Sequence, residues 1–253
     1  MSAAASLLAV SSVIAGGAIS AKHLNDEPLV TDRPDFTESS LVVPKGRTQL
    51  EMGYTYRDFD GDSLHQVPEL LVRVGTGRGA ELRLGLPSYG MAKVDDREIS
   101  GFGDTYLGMK IQPGPLGNGD GFALIPGVVF PSGRGPLTSG QTDAELRVVW
   151  SRDLSEKQAI AAMAHGLWTR DERGERNGVF QQTVSYSQAL NGRASAFYEY
   201  AGIFANLKAP THILHGGVAV RLNQNEQWDI HLGLTFSGSD RNPFIGFGYA
   251  MRR

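Results

Sequence analysis

Cysteine is absent from the 253 residues, which excludes a disulfide framework, thiolate metal sites and a cysteine nucleophile. Neither charge dominates: 24 Lys and Arg stand against 27 Asp and Glu. The basic footprint of a nucleic-acid binder is therefore missing, and no nucleic-acid partner is expected. After Lys22 there is no continuous apolar run of 18 residues that could cross a membrane as a helix. Long runs of helical period are missing too. Glycine is abundant, with 32 residues, and this composition points to many strands and many turns.

Residues 1–21 carry no charged side chain. The apolar stretch Leu7–Ala18, followed by small residues and Lys22, reads as the core and cleavage zone of a secretory signal peptide, cut near Ser20 or Ala21. It departs from the usual form in having no Lys or Arg before the apolar stretch. A membrane anchor is the rival reading, but the stretch is short and broken by Ser11, Ser12, Gly16 and Gly17. The expected organisation is a signal peptide over 1–21, an N-terminal periplasmic or plug segment over 22–47 and a β-barrel over 48–253.

The remainder alternates with a period of two, which is the signature of strands. Leu50, Met52, Tyr54 and Tyr56 share one face, and Gln49, Glu51, Gly53, Thr55 and Arg57 share the other. Trp228, Ile230, Leu232, Leu234 and Phe236 likewise oppose Asp229, His231, Gly233 and Thr235. Twelve such segments are expected, at about 48–58, 65–74, 80–88, 101–112, 121–131, 142–152, 157–169, 177–190, 193–204, 210–222, 226–237 and 243–252. Short turns (Gly75–Gly79, Asp153–Glu156, Asn191–Gly192, Asn223–Asn225) tend to alternate with longer polar connections at 89–100, 132–141 and 170–176.

A soluble sandwich or binding barrel would turn the apolar faces inward, whereas a transmembrane barrel turns them toward lipid. Three features favour the membrane. The segments are about ten residues long, enough to cross a bilayer when tilted. Aromatics sit near strand ends, with Trp150 and Trp228 by the short turns and Tyr56, Phe130, Trp168 and Phe236 at the other side. In the last segment Gly246, Gly248 and Ala250 form a small-residue face opposite Ile245, Phe247, Tyr249 and Met251. The expected fold is all-β: a twelve-stranded antiparallel transmembrane β-barrel of the outer-membrane type.

Several stretches resemble one family. Leu29–Ser39 (LVTDRPDFTES) and Val43-Pro44-Lys45-Gly46 open the likeness, which continues through Pro68–Gly75 (PELLVRVG), Glu81–Tyr89 (ELRLGLPSY), Gly101–Lys110 (GFGDTYLGMK) and Pro126–Gly133 (PGVVFPSG). The sequence is similar to the phenol-degradation MetA-pathway family of outer-membrane, transporter-like proteins. The resemblance covers nearly the whole chain after residue 30. It implies a bacterial outer-membrane barrel with a transport role, and it carries no catalytic motif. One departure concerns the barrel-assembly machinery, which commonly reads a terminal aromatic: this chain ends Tyr249-Ala250-Met251-Arg252-Arg253, leaving Tyr249 or Met251 for that contact.

The candidate pore-lining residues are the inward ionic set: Glu51, Arg57, Glu69, Arg73, Glu81, Arg83, Asp104, Lys110, Glu145, Arg147, Glu199, Arg221 and Asp229, with His231 beside them. Their near balance of sign argues against a strongly ion-selective ring. They either knit the lumen together or line a polar path for a small-molecule solute. Across the Gly75–Gly79 turn, Arg73 is expected roughly opposite Glu81, a favourable pair. Asp32, Arg33, Asp35 and Glu38 precede the first strand; they form either a plug that meets wall charges or part of a periplasmic tail.

His212 and His215 are three apart, which on a strand puts them on opposite faces, so no metal site is expected. Gly75–Gly79 and Gly101–Gly103 read as turn glycines, since no Gly-Lys-Ser/Thr and no helix follows. No cofactor is implied. A membrane-embedded hydrolase acting on lipids is one rival function, with His165, His212 and Ser185 or Ser187 available, although no Gly-x-Ser-x-Gly motif occurs. A soluble secreted ligand-binding barrel is another. The favoured reading is a passive channel or transporter for small molecules, hydrophobic or aromatic ones among them, with loops 89–100 and 132–141 as its entrance and outer-membrane lipid around it.

Overall fold

The computed structural model describes residues 28–253 except 60–61, 95–96, 115, 135–136, 171–175, 206–208 and 238–239. The expected signal peptide and residues 22–27 lie outside the described residues. The strands are β1 (Thr48–Phe59), β2 (Asp62–Val67), β3 (Leu70–Gly77), β4 (Ala80–Leu86), β5 (Tyr89–Val94), β6 (Arg97–Phe102), β7 (Thr105–Ile111) and β8 (Gly121–Phe130). They continue with β9 (Asp143–Ser155), β10 (Gln158–Arg170), β11 (Arg176–Ala189), β12 (Ala194–Ala205), β13 (Thr211–Asn223), β14 (Glu226–Ser237) and β15 (Asp240–Arg252). All belong to one antiparallel sheet, which closes where β1 pairs with β15, Glu51 opposite Ala250 and Tyr54 opposite Phe247.

Three barrel strands are each divided by a break. β2 and β3 flank Pro68-Glu69, β4 and β5 flank Pro87-Ser88, and β6 and β7 flank Gly103-Asp104. The breaks lie side by side. The register that sets Leu70 opposite Leu86 continues into Val67 opposite Tyr89, and the Gly103 N–H donates to the Ser88 carbonyl at 2.9 Å. Proline has no N–H for the ladder, so Pro68 and Pro87 mark where pairing lapses. Counted through the breaks, the fifteen pieces form a closed twelve-stranded barrel.

Of residues 89–100, expected as an entrance loop, those described belong instead to β5 and β6, which extend two barrel strands beyond the break. The periodicity lapses at Pro87-Ser88 and Gly103-Asp104, so the continuation was not visible as a strand. The described residues of the 132–141 connection form no strand, and the Arg134 N–H donates to the Phe102 carbonyl at 3.1 Å.

The burial is inverted relative to a soluble protein. Leu84 and Leu232 remain 37% and 64% exposed, whereas Arg83 and Asp229 keep only 1% and 4% of their surface. A soluble core would reverse this, and the barrel instead carries a broad apolar outer band. The small face of β15 has a steric reason. A Cβ at Gly246 would collide with His231, and one at Gly248 would collide with the Asp229 carboxylate. The lumen is not uniformly polar: Ala123, Ile125, Val149 and Met163 form one apolar patch, and Ala201, Ile213 and Phe244 form another.

Candidate functional site

The N-terminal segment enters the barrel and returns to the same rim. The Leu29 N–H donates to the Gln224 carbonyl at 2.8 Å, in the turn between β13 and β14. At the other end the Gly46 N–H donates to the Gly75 carbonyl at 2.9 Å. Gly46 has a φ of 76°, in the left-handed region that glycine adopts without strain, and this lets the chain turn from the lumen into β1. Between these anchors the segment lies against the inner face of the wall, and its Arg33 occupies the space a Cβ would take at Gly53.

One side of the wall meets the segment's acids. Asp32 pairs with Lys110 at 2.8 Å, Arg73 at 3.1 Å and Arg83 at 2.5 Å. Glu38 pairs with Arg83 at 2.6 Å and Arg147 at 2.7 Å. The wall adds its own acids: Glu81 lies 2.8 Å from Arg73 and 2.9 Å from Arg83, Glu51 2.8 Å from Arg73, and Glu145 2.7 Å from Arg147. Four wall cations thus face three wall acids, and the segment brings two more. Lys110, Arg73, Arg83, Glu51 and Glu81 are all but fully buried. Removing one partner from such a network strands its counter-ion away from water, a loss of roughly 3–5 kcal/mol in buried pairs.

The opposite wall holds the apex of the segment. Glu199 accepts the N–H groups of Phe36 at 2.8 Å and Thr37 at 2.7 Å. Ser185 donates to Asp35 at 2.9 Å. Arg33 pairs with Glu69 at 3.1 Å and lies 3.7 Å from Asp229. The Phe36 ring packs 4.8 Å from His215 and 6.2 Å from Phe244, beside the second apolar lumen patch. Past the apex lies a cavity of about 360 Å³, lined by Arg33, Asp35 and Phe36 of the segment and by Arg57, Glu69, His231 and Phe244 of the wall.

Most of the inward ionic set therefore converges on the N-terminal segment, which sequence periodicity could not show. Three placements differ from expectation. Asp104 sits at the β6–β7 break and fastens the 132–141 loop, accepting from Thr138 Oγ1 at 2.6 Å, Ser139 N–H at 2.8 Å and Gly133 N–H at 3.1 Å. Arg221 reaches the Gly192 carbonyl at 2.9 Å, at the short-turn rim. Arg73 lies opposite Arg83, and Glu81 opposite Gly75, because a bulge between Gly75 and Gly77 shifts the register; the Arg73–Glu81 pair forms diagonally.

His215, outside the inward set expected from the sequence, is also an interior residue. It lies between Glu199, 2.9 Å from Nδ1, and His231, 2.8 Å from Nε2. Its parity with Ile213 carries that signal, which the spacing from His212 does not. The residues available for hydrolysis do not assemble. His165 bonds Glu145 at 3.2 Å, Ser185 bonds Asp35, and His212 bonds Tyr200 at 2.8 Å on the outer face. Among the described residues no cluster of three metal-ligating groups occurs. On the short-turn rim Asp120 accepts from Arg152 at 2.7 and 2.8 Å and from Trp150 Nε1 at 2.8 Å. Chiefly through the Arg152 hydrogen bonds, its carboxyl is held down to about 2.

A family model described as "Putative MetA-pathway of phenol degradation" matches residues 31–252. Among solved structures, the COG4313 outer membrane channel from Pseudomonas putida F1 superposes with a TM-score of 0.71 at 13% identity, covering 87% of this chain and 100% of that one. KdgM porin gives 0.53 at 13% identity over 79% and 98% of the two chains, and NanC porin 0.53 at 12% over 80% and 98%. At these identities the likeness is one of fold. No protein of curated function matches the sequence.

Proposed function

The chain belongs to the MetA-pathway phenol-degradation family, and from that premise and the barrel's geometry we propose a passive outer-membrane channel whose lumen residues 28–47 plug. Its solutes are small molecules, hydrophobic or aromatic ones among them. The structures it superposes on are named as an outer membrane channel and porins, which supports this reading. The outward apolar faces supply the lipid contact that such a barrel needs. Tyr249 and Met251, near the end of β15, would meet the assembly machinery. The chemistry present is electrostatic and steric: paired charges and a folded segment, with no assembled nucleophile among the described residues.

The observation that carries the proposal is the seating of Asp32 and Glu38 among Arg73, Arg83, Lys110 and Arg147. As a plug, the segment would set how much of the lumen is open, and the wall charges would line the path once it moved. The 132–141 loop, tied down by Asp104, would shape the entrance. Planar-bilayer recording tests this. The native protein is expected to conduct weakly, and Asp32→Asn with Glu38→Gln is expected to raise single-channel conductance or opening frequency several-fold. Unchanged conductance in a folded double variant would refute the plug.

A further inference from the structure

Thr31-Asp32-Arg33-Pro34 sets two opposite charges side by side in the segment, and the lumen draws them apart. The Asp32 carboxylate turns to one wall. Lys110 Nζ donates to its two oxygens at 2.8 and 2.9 Å, and Arg73 lies 3.1 Å away. The Asp32 N–H donates to the Glu51 carboxylate, 3.0 and 3.2 Å from its two oxygens. The Arg33 guanidinium turns the other way, to Glu69 at 3.1 Å and toward Asp229 at 3.7 Å. Its Nη2 also reaches the Phe247 carbonyl at 3.4 Å. Asp35, held by Ser185, lies outside this pair of contacts.

The wall therefore holds two pockets of opposite sign within the span of one dipeptide. Lys110 and Arg73 are closed off from water, and what closes them is the segment itself, whose side chains show that both pockets open toward the lumen. The acid pocket is filled loosely. The Asp229 side chain is fully buried, yet neither of its oxygens has a hydrogen-bond partner, and Arg33 Nε has none either. A guanidinium offers its N–H groups in a rigid planar fork, whereas an ammonium is compact and turns three donors freely. An ammonium can thus serve Glu69 and Asp229 together, which Arg33 does not. The segment's own cation is an imperfect occupant of its pocket.

We propose that the space held by Asp32 and Arg33 is a binding site for a small zwitterion: a carboxylate and an ammonium joined by a short chain, the size of an acylated basic amino acid. Its carboxylate takes the place of Asp32 among Lys110, Arg73 and Arg83. An amide N–H beside that carboxylate donates to Glu51, as the Asp32 N–H does. Its ammonium donates to Glu69 and Asp229. The segment is then a tethered stand-in for the solute. A neutral solute would leave both pockets without a counter-charge, and an ion of one sign would leave one of them so. The inference rests on the channel reading, since a solute enters only where the segment has left.

Asp32→Asn with Arg33→Gln removes both charges of the segment and leaves the wall unchanged. Calorimetry in detergent, with empty micelles subtracted, and planar-bilayer recording compare matched molecules on this full-length variant. Nα-acetyl-lysine carries both charges, Nα-acetyl-norleucine the carboxylate alone, Nα-acetyl-lysine amide the ammonium alone, and Nα-acetyl-norleucine amide neither. Nα-acetyl-lysine is expected to bind, and to interrupt the current, more tightly than the others by about ten-fold or more. It is expected to bind the native barrel, where the segment competes, about ten-fold more weakly than the variant. Adding Glu69→Gln, whose side chain is 26% exposed in the native barrel, should shrink the margin over Nα-acetyl-norleucine several-fold. Equal affinity for all of the molecules, preference for a singly charged one, or an unmoved margin in the folded Glu69→Gln barrel would each overturn the site. Should the double variant not fold, Arg33→Gln alone decides. The ammonium-bearing molecules should bind it more tightly than the two that lack the group, and equal binding would overturn the acid pocket and the site with it. Conductance without this selectivity would lose the site and keep the channel. Selective binding without conductance would keep the site and lose the channel.

Discussion

At the scale of the residue, the rule that decides placement is parity along a strand. Glu51, Arg73, Glu81, Arg83 and Lys110 could be assigned to the lumen because each alternates with apolar neighbours, and all are nearly inaccessible. Their partners could not be assigned, because Asp32 and Glu38 precede the first strand and have no parity. Asp104 shows the limit of the rule: it follows the alternation of β7, yet at the break its carboxylate turns to the loop. Asp120 gives a prediction at this scale. Its folded value of about 2 lies below the reference 3.8. The Asp120–Arg152 tie therefore contributes stability that is complete above the reference value and lost as pH falls through about 2. Carboxyl ¹³C titration should place the native midpoint near 2, and Arg152→Ala should return it toward about 4. A native midpoint at the ordinary value would show that the tie is absent in solution.

At the scale of the element, the twelve alternating segments were readable because each barrel strand has one lipid face and one lumen face. The interruptions were not, because proline and glycine erase the alternation while the two flanking pieces still pair in a continued register. The N-terminal segment was the least readable element. Without regular structure of its own it has no period, and its place is fixed by contacts with β1, β3, β4, β7, β9, β12 and β14. Its seat depends on glycines in the wall, which gives an element-scale prediction. Gly248→Val adds a β-branched residue that suits a strand but occupies the space of Arg33 Nε and the Asp229 carboxylate. The barrel should still fold, as judged by heat-modifiable migration in detergent gels, while conductance in planar bilayers rises several-fold. A folded variant with native conductance would mean that Arg33 does not hold the segment in place.

At the scale of the whole molecule, one asymmetry organises everything else. Apolar side chains face the surroundings and ionic ones face each other across a lumen, so the barrel interior, not its exterior, must be electrostatically matched. The polar interior creates the demand for counter-charge that the segment meets with Asp32 and Glu38, and the apolar exterior demands lipid. Because the sequence contains no cysteine, a single introduced cysteine carries a spin label uniquely. Labels at Leu84→Cys and Leu232→Cys, in barrels reconstituted into vesicles, should collide more often with oxygen than with a water-soluble nickel chelate. Preferential collision with the nickel chelate at both sites would place those faces in water and contradict the account.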